Sequence, residues 1–78
     1  MIDSLTGARV KVCLDDDQGP YVEISLEKDG RYLEHKLDAQ YFVPFLKIRS
    51  SEVPKAGIVY RFGTVADPAK LQSILDEI

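Results

Sequence analysis

Val10, Val12 and Leu14 alternate with Arg9, Lys11 and Cys13, so residues 8–14 are predicted to form a half-buried strand. Asp15-Asp16-Asp17-Gln18-Gly19-Pro20 then breaks the pattern with turn-forming residues. Residues 21–28 alternate again: Val22, Ile24 and Leu26 point one way, and Tyr21, Glu23, Ser25 and Glu27 point the other.

Asp29-Gly30 follows, a dipeptide that favours two-residue hairpin turns. Residues 31–37 are then expected to return as a third strand. A two-residue turn pairs Lys28 with Arg31, Leu26 with Leu33, Ile24 with His35 and Val22 with Leu37. The apolar residues of both strands share one face in this register. The other face carries Glu27 opposite Tyr32, Ser25 opposite Glu34, and Glu23 opposite Lys36, an opposite-charge pair worth about 1 kcal/mol at most. A three-residue bulge would instead send Leu33 and Leu37 outward and bury Tyr32, Glu34 and Lys36, because a one-residue slip inverts every side chain. Burying the two leucines decides for the two-residue turn.

Asp38 suits the N-cap of a helix starting at Ala39. Tyr41, Phe45 and Ile48, with Phe42 and Leu46 beside them, fit its apolar face. Pro44 interrupts it at a cost of about 3 kcal/mol, so the expectation is a kinked helix or two pieces. Residues 50–57 read as a loop. Residues 58–64 read as a fourth strand, with Ile58, Tyr60 and Phe62 on one face and Val59 and Arg61 on the other. Asp67-Pro68 starts a closing helix with the apolar stripe Leu71, Ile74, Leu75 and Ile78. The expected fold is α+β: an antiparallel sheet of about four strands in the order β-β-β-α-β-α, with helices packed on one face.

Seventy-eight residues leave room for one small domain, and 45% hydrophobic content argues against disorder. Such a chain buries roughly 60% of its unfolded surface, so a broad surface suits it better as a working part than a deep pocket. Cys13 is the only cysteine, which excludes an intrachain disulfide. The apolar run 41–46 is too short for a bilayer, and Met1 to Leu5 lacks a signal-like pattern. The cytoplasm is the expected compartment. A net charge of −3 weighs against non-specific nucleic-acid binding.

Each chemistry with a recognisable pattern has a plainer counterpart. Zinc needs several ligands at set spacing, and one Cys with one His does not supply them. Cys13 and His35 are expected on opposite faces, outward and inward, a poor start for a nucleophilic pair. The inward His35 is read as a histidine near the sheet margin. Asp15-Asp16-Asp17 lacks the alternating ligands and distal Glu of a calcium loop and reads as a solvated acidic turn. Glu23, Glu27 and Glu34 on an exposed face lack the burial that separates acid from base. Gly57 and Gly63 flank a strand and form no phosphate loop. Arg9, Lys11, Lys36 and Arg61, with Tyr21 and Tyr32, would form a nucleic-acid face, but three glutamates on that face offset them. The segment Tyr41-Phe42-Val43-Pro44-Phe45-Leu46 reads mainly as core. Its functional alternative is an exposed patch that docks a partner or a second copy.

These residues lead to the expectation of a non-enzymatic interaction domain, without cofactor or metal, that binds a larger protein. The contact set is Asp15, Asp16 and Asp17 in the acidic loop, with Tyr21, Glu23, Glu27, Tyr32, Glu34 and Lys36 on the outer sheet face. An inhibitor or adaptor fits this reading, with a phage- or mobile-element-encoded blocker of bacterial defence as a special case. A homodimer is a further candidate assembly. A nucleic-acid-binding module and an accessory enzyme subunit are the alternative functions, and no membrane association is expected.

Overall fold

A computed structural model describes residues 1–49 and 57–78. The loop expected at 50–57 lies outside them as far as residue 56. The elements are β1 (Cys13–Asp15), β2 (Gly19–Ile24), α1 (Glu27–Lys36), a π-helical turn (Leu37–Tyr41), β3 (Leu46–Arg49), β4 (Ile58–Arg61) and α2 (Pro68–Glu77). The strands form one antiparallel sheet in the order β1-β2-β4-β3. The fold class is therefore the α+β arrangement expected, with elements running β-β-α-β-β-α along the chain.

The order differs because the hairpin sits elsewhere. The chain reverses at Asp16, Asp17 and Gln18, and Asp15 pairs with Gly19, whose φ of 82° completes the turn. Gly19 also lies so close to Gly63 and Thr64 that a β-carbon would come within 2.8 Å of their backbone. Asp29-Gly30, expected as the turn, lies inside α1. Leu26, Gly30, Leu33 and Leu37 recur at intervals of four, three and four, which is a helical stripe. A β-carbon on Gly30 would sit 2.6 Å from the Tyr60 hydroxyl and 2.9 Å from Ile58 Cδ1. The glycine lets α1 lie close against β4. Asp29 accepts from the backbone N–H and hydroxyl of Ser4, both at 2.8 Å. Acidic Glu27 and Asp29 in the first turn and basic His35 and Lys36 in the last complement the helix dipole.

The helix expected from Ala39 onward is also corrected. Helical structure runs on through the π-turn and stops at Phe42, whose φ of 55° is left-handed. Pro44 prevents resumption. Leu46-Lys47-Ile48-Arg49 then pairs with β4, as Leu46 with Arg61 and Ile48 with Val59.

Residues 8–14 enter the sheet only at Cys13. Upstream, the Val10 N–H bonds Met1 O, the Val12 N–H bonds Gln72 Oε1, and Val10 O accepts from Gln72 Nε2. Helix α2 thus satisfies backbone groups that a neighbouring strand would otherwise satisfy.

The core forms between one sheet face and both helices. Val22 lies opposite Tyr60 and Ile24 opposite Ile58, and these four cluster with Val10, Leu33, Leu37 and Leu75. Leu33 and Leu37 are buried as expected, by a helix instead of a strand. Each buried aliphatic side chain contributes about 1.5–3 kcal/mol. Asp67 caps α2, its Oδ1 accepting from Ala69 N at 2.9 Å and Lys70 N at 3.4 Å, with Pro68 next in the chain.

Candidate functional site: an open sheet face

Alternation along the strands leaves the second sheet face uncovered by the helices. Strand pairing sets Cys13, Tyr21, Arg61 and Leu46 in one row across it, and Glu23, Val59 and Ile48 in the next. Leu46 is 62% exposed and Ile48 37% exposed, both large apolar residues on the last strand. Asp15 and Glu23 lie on the opposite half, over β1 and β2.

Arg61 joins the two halves. Its guanidinium lies 5.2 Å from the centre of the Tyr21 ring, and Nη1 stands 3.6 Å from Asp15 Oδ2. Nη1 is buried and has no hydrogen-bond partner among the described residues. The Asp17 N–H at 2.9 Å, then the Gln18 N–H and the Arg61 charge, hold the Asp15 carboxyl below its ordinary pKa against a desolvation effect that raises it. The neighbouring Cys13, then desolvation and the charges of Glu23 and Asp15, push the Tyr21 phenol upward. Aromatic and Arg side chains beside apolar residues, with acids at the margin, are the ingredients of a protein-binding surface.

The expected contact set divides between two layers. Tyr21 and Glu23 lie on the open face, with Asp15, Asp16 and Asp17 at its corner. Glu27, Tyr32, Glu34 and Lys36 belong to α1, on the other side of the sheet, so the cross-strand pairs assigned to them, Glu23 with Lys36 included, do not exist. Glu34 Oε2 instead accepts from the Tyr60 hydroxyl at 2.8 Å and lies 2.9 Å from Lys47 Nζ. Lys47 also stands 3.7 Å from Glu27. This cluster satisfies a phenol whose ring is fully buried, and Phe45 packs edge-on against that ring at 5.4 Å. Lys36 lies 5.6 Å from the Tyr32 ring centre and donates to Gln40.

His35 is exposed, whereas the strand register placed it inward. The nucleic-acid grouping also divides. Arg61 and Tyr21 stay together, while Lys36 and Tyr32 are on α1 and Arg9 binds Asp76 of α2 at 2.6 Å. That bond holds the Asp76 carboxyl down at about 2.

Strand alternation placed Val59 and Arg61 on the face opposite Ile58 and Tyr60, which is the open face, although neither was in the expected contact set. Leu46 and Ile48 were hidden by the helical reading of 39–48, although their alternation with Lys47 and Arg49 was the signal. Among the described residues no three of His, Cys, Asp or Glu converge as a metal site, and no helix is long and apolar enough to cross a membrane.

No protein-family model matches the chain, no curated protein matches it in sequence, and no solved structure matches it in fold.

Proposed function

We propose that this chain is a non-enzymatic interaction domain that binds a larger protein, in the cytoplasm, through the open sheet face. The observation carrying this reading is the exposure of Leu46 and Ile48 beside the Tyr21–Arg61 stack on a face that the helices leave uncovered. Exposed apolar residues grouped with an aromatic and an arginine favour burial against a partner. Asp15, Asp16, Asp17 and Glu23 give the face an acidic margin, which suits a partner with a basic rim around an apolar patch. An inhibitor and an adaptor both use such a surface.

The test is affinity purification from the native host with wild type, Glu23→Lys, Leu46→Asp and Tyr32→Ala, each checked for folding by circular dichroism. The same partner is expected with wild type and Tyr32→Ala and lost with the two sheet-face variants. Equal recovery with all four would rule out the face. Glu34, which accepts the Tyr60 hydroxyl, is unsuitable for such a test because its reversal would disturb the core.

A further inference from the structure

A second surface lies away from the open sheet face, at the corner where the π-turn meets α2. Tyr41, Val43, Pro44, Phe62, Leu71 and Ile74 line a groove of about 420 Å³. This is within the range of roughly 300–1,000 Å³ typical of binding sites. Phe42 and Val65 stand at its edge, 80% and 98% exposed. Phe42 is also the only described residue other than glycine with a positive φ. A bulky residue held there costs about 1–3 kcal/mol in backbone strain. Its exposed ring returns little of that within a single copy.

We propose that two copies of this chain associate through this corner, each seating its Phe42 ring in the groove of the other. A two-fold interface requires one patch to be complementary to itself. Here a projecting aromatic stands directly beside a hollow, so a two-fold axis between them fills both hollows at once. The charges fit the same operation. Lys70 and Asp67 are the charged residues lining the groove. Asp67 uses Oδ1 for the helix cap, and Oδ2 accepts from no described residue. Lys70 Nζ has no ion pair among the described residues. The two-fold operation brings Lys70 of each copy toward Asp67 of the other. A patch with one charge of each sign avoids the like-charge repulsion that a net charge of −3 would otherwise bring. No residue of the groove belongs to the proposed partner-binding face, so each copy keeps that face available.

The test is sedimentation equilibrium from about 10 µM to 1 mM, with amide shifts followed by NMR over the same concentrations. Self-association is expected, with shifts concentrated at 41–44 and 62–74. Phe42→Gly relieves the left-handed strain, so it should fold at least as well as wild type while weakening dimerisation about thirtyfold or more. Val65→Asp, at a fully exposed position, should weaken it without unfolding. Lys70→Glu should do the same by facing Asp67 of the other copy. Ile48→Asp should leave it unchanged. A chain that stays monomeric at 1 mM overturns the proposal. So does a dimer insensitive to Phe42→Gly, or one whose shifts map to Tyr21, Val59 and Ile48.

Discussion

On β2 and β4, Val22, Ile24, Ile58 and Tyr60 are at most 2% exposed, while Tyr21, Glu23, Val59 and Arg61, their immediate neighbours in the chain, remain in reach of solvent. The same strands therefore present a face closed by two helices and a face that nothing in the described fold covers. On β2 and β4 the closed face is apolar apart from one phenol, whose hydroxyl is satisfied by Glu34, and on β3 Lys47 adds an ammonium that pairs with the same carboxylate. The open face mixes apolar, aromatic and charged groups and leaves Arg61 Nη1 without a hydrogen bond to any described residue. The difference separates stability from recognition. Substitutions on the closed face should unfold the protein, and substitutions on the open face should change only what it binds.

The largest effect is expected for Leu33→Ala, which empties a fully buried position. A loss of about 2–5 kcal/mol should appear in urea unfolding. Gly30→Ala tests the approach of α1 to the same face. In an ordinary exposed helix position this change would stabilise by about 1 kcal/mol. Here the new β-carbon meets Tyr60 and Ile58 at under 3 Å, so a net loss of about 1–3 kcal/mol is expected.

Acid should act through buried or bonded carboxylates. Desolvation is the largest single influence on Asp3 and raises its pKa. The Ser25 hydroxyl and the N–H groups of Leu5, Thr6 and Ser25 together outweigh it and hold the pKa down. Asp15 and Asp76 are depressed as well. A folded pKa below the unfolded one means that protons bind the unfolded chain more readily. Stability should be at its full value above the unfolded pKa of about 3.9 and fall as pH drops toward about 2, where Asp76 titrates. Asp3→Asn should lower stability at pH 7 and make the decline between pH 4 and pH 2 shallower than in wild type, measured by thermal melts across pH. The smallest effect is expected for Ile48→Ser on the open face, within about 0.5 kcal/mol of wild type.

The two strands that alternate cleanly beside real turns, β2 and β4, were legible in the sequence, as was α2 with its Asp67 cap. Residues 26–37 were not, because they satisfy two periods at once. Leu33 and Leu37 are an even number of residues apart, as a strand requires, and also four apart, as a helix requires. Asp29-Gly30 tipped that balance toward a turn. Its physical role is tertiary: Gly30 makes room for Tyr60, and Asp29 reaches Ser4, which lies 25 residues away. Neither requirement is visible from local pattern. At 41–49 the reverse occurred. Pro44 announced a break, but the spacing of Tyr41, Phe45 and Ile48 concealed the strand that follows it. The candidate site inherited both errors. It kept Tyr21, Glu23 and the acidic corner, exchanged the α1 residues for β3 and β4, and so gained Leu46, Ile48 and Arg61.

Cys13 offers the most direct test of the open face, since it is the only cysteine in the chain and pairs with Tyr21 in the first row of that face. The rate of its alkylation by iodoacetamide can be followed by mass spectrometry with and without the purified partner. Saturating partner should slow the reaction of the wild type several-fold and leave the Leu46→Asp variant reacting at its free rate. Unchanged reactivity of wild-type Cys13 in a demonstrably saturated complex would contradict docking on this face.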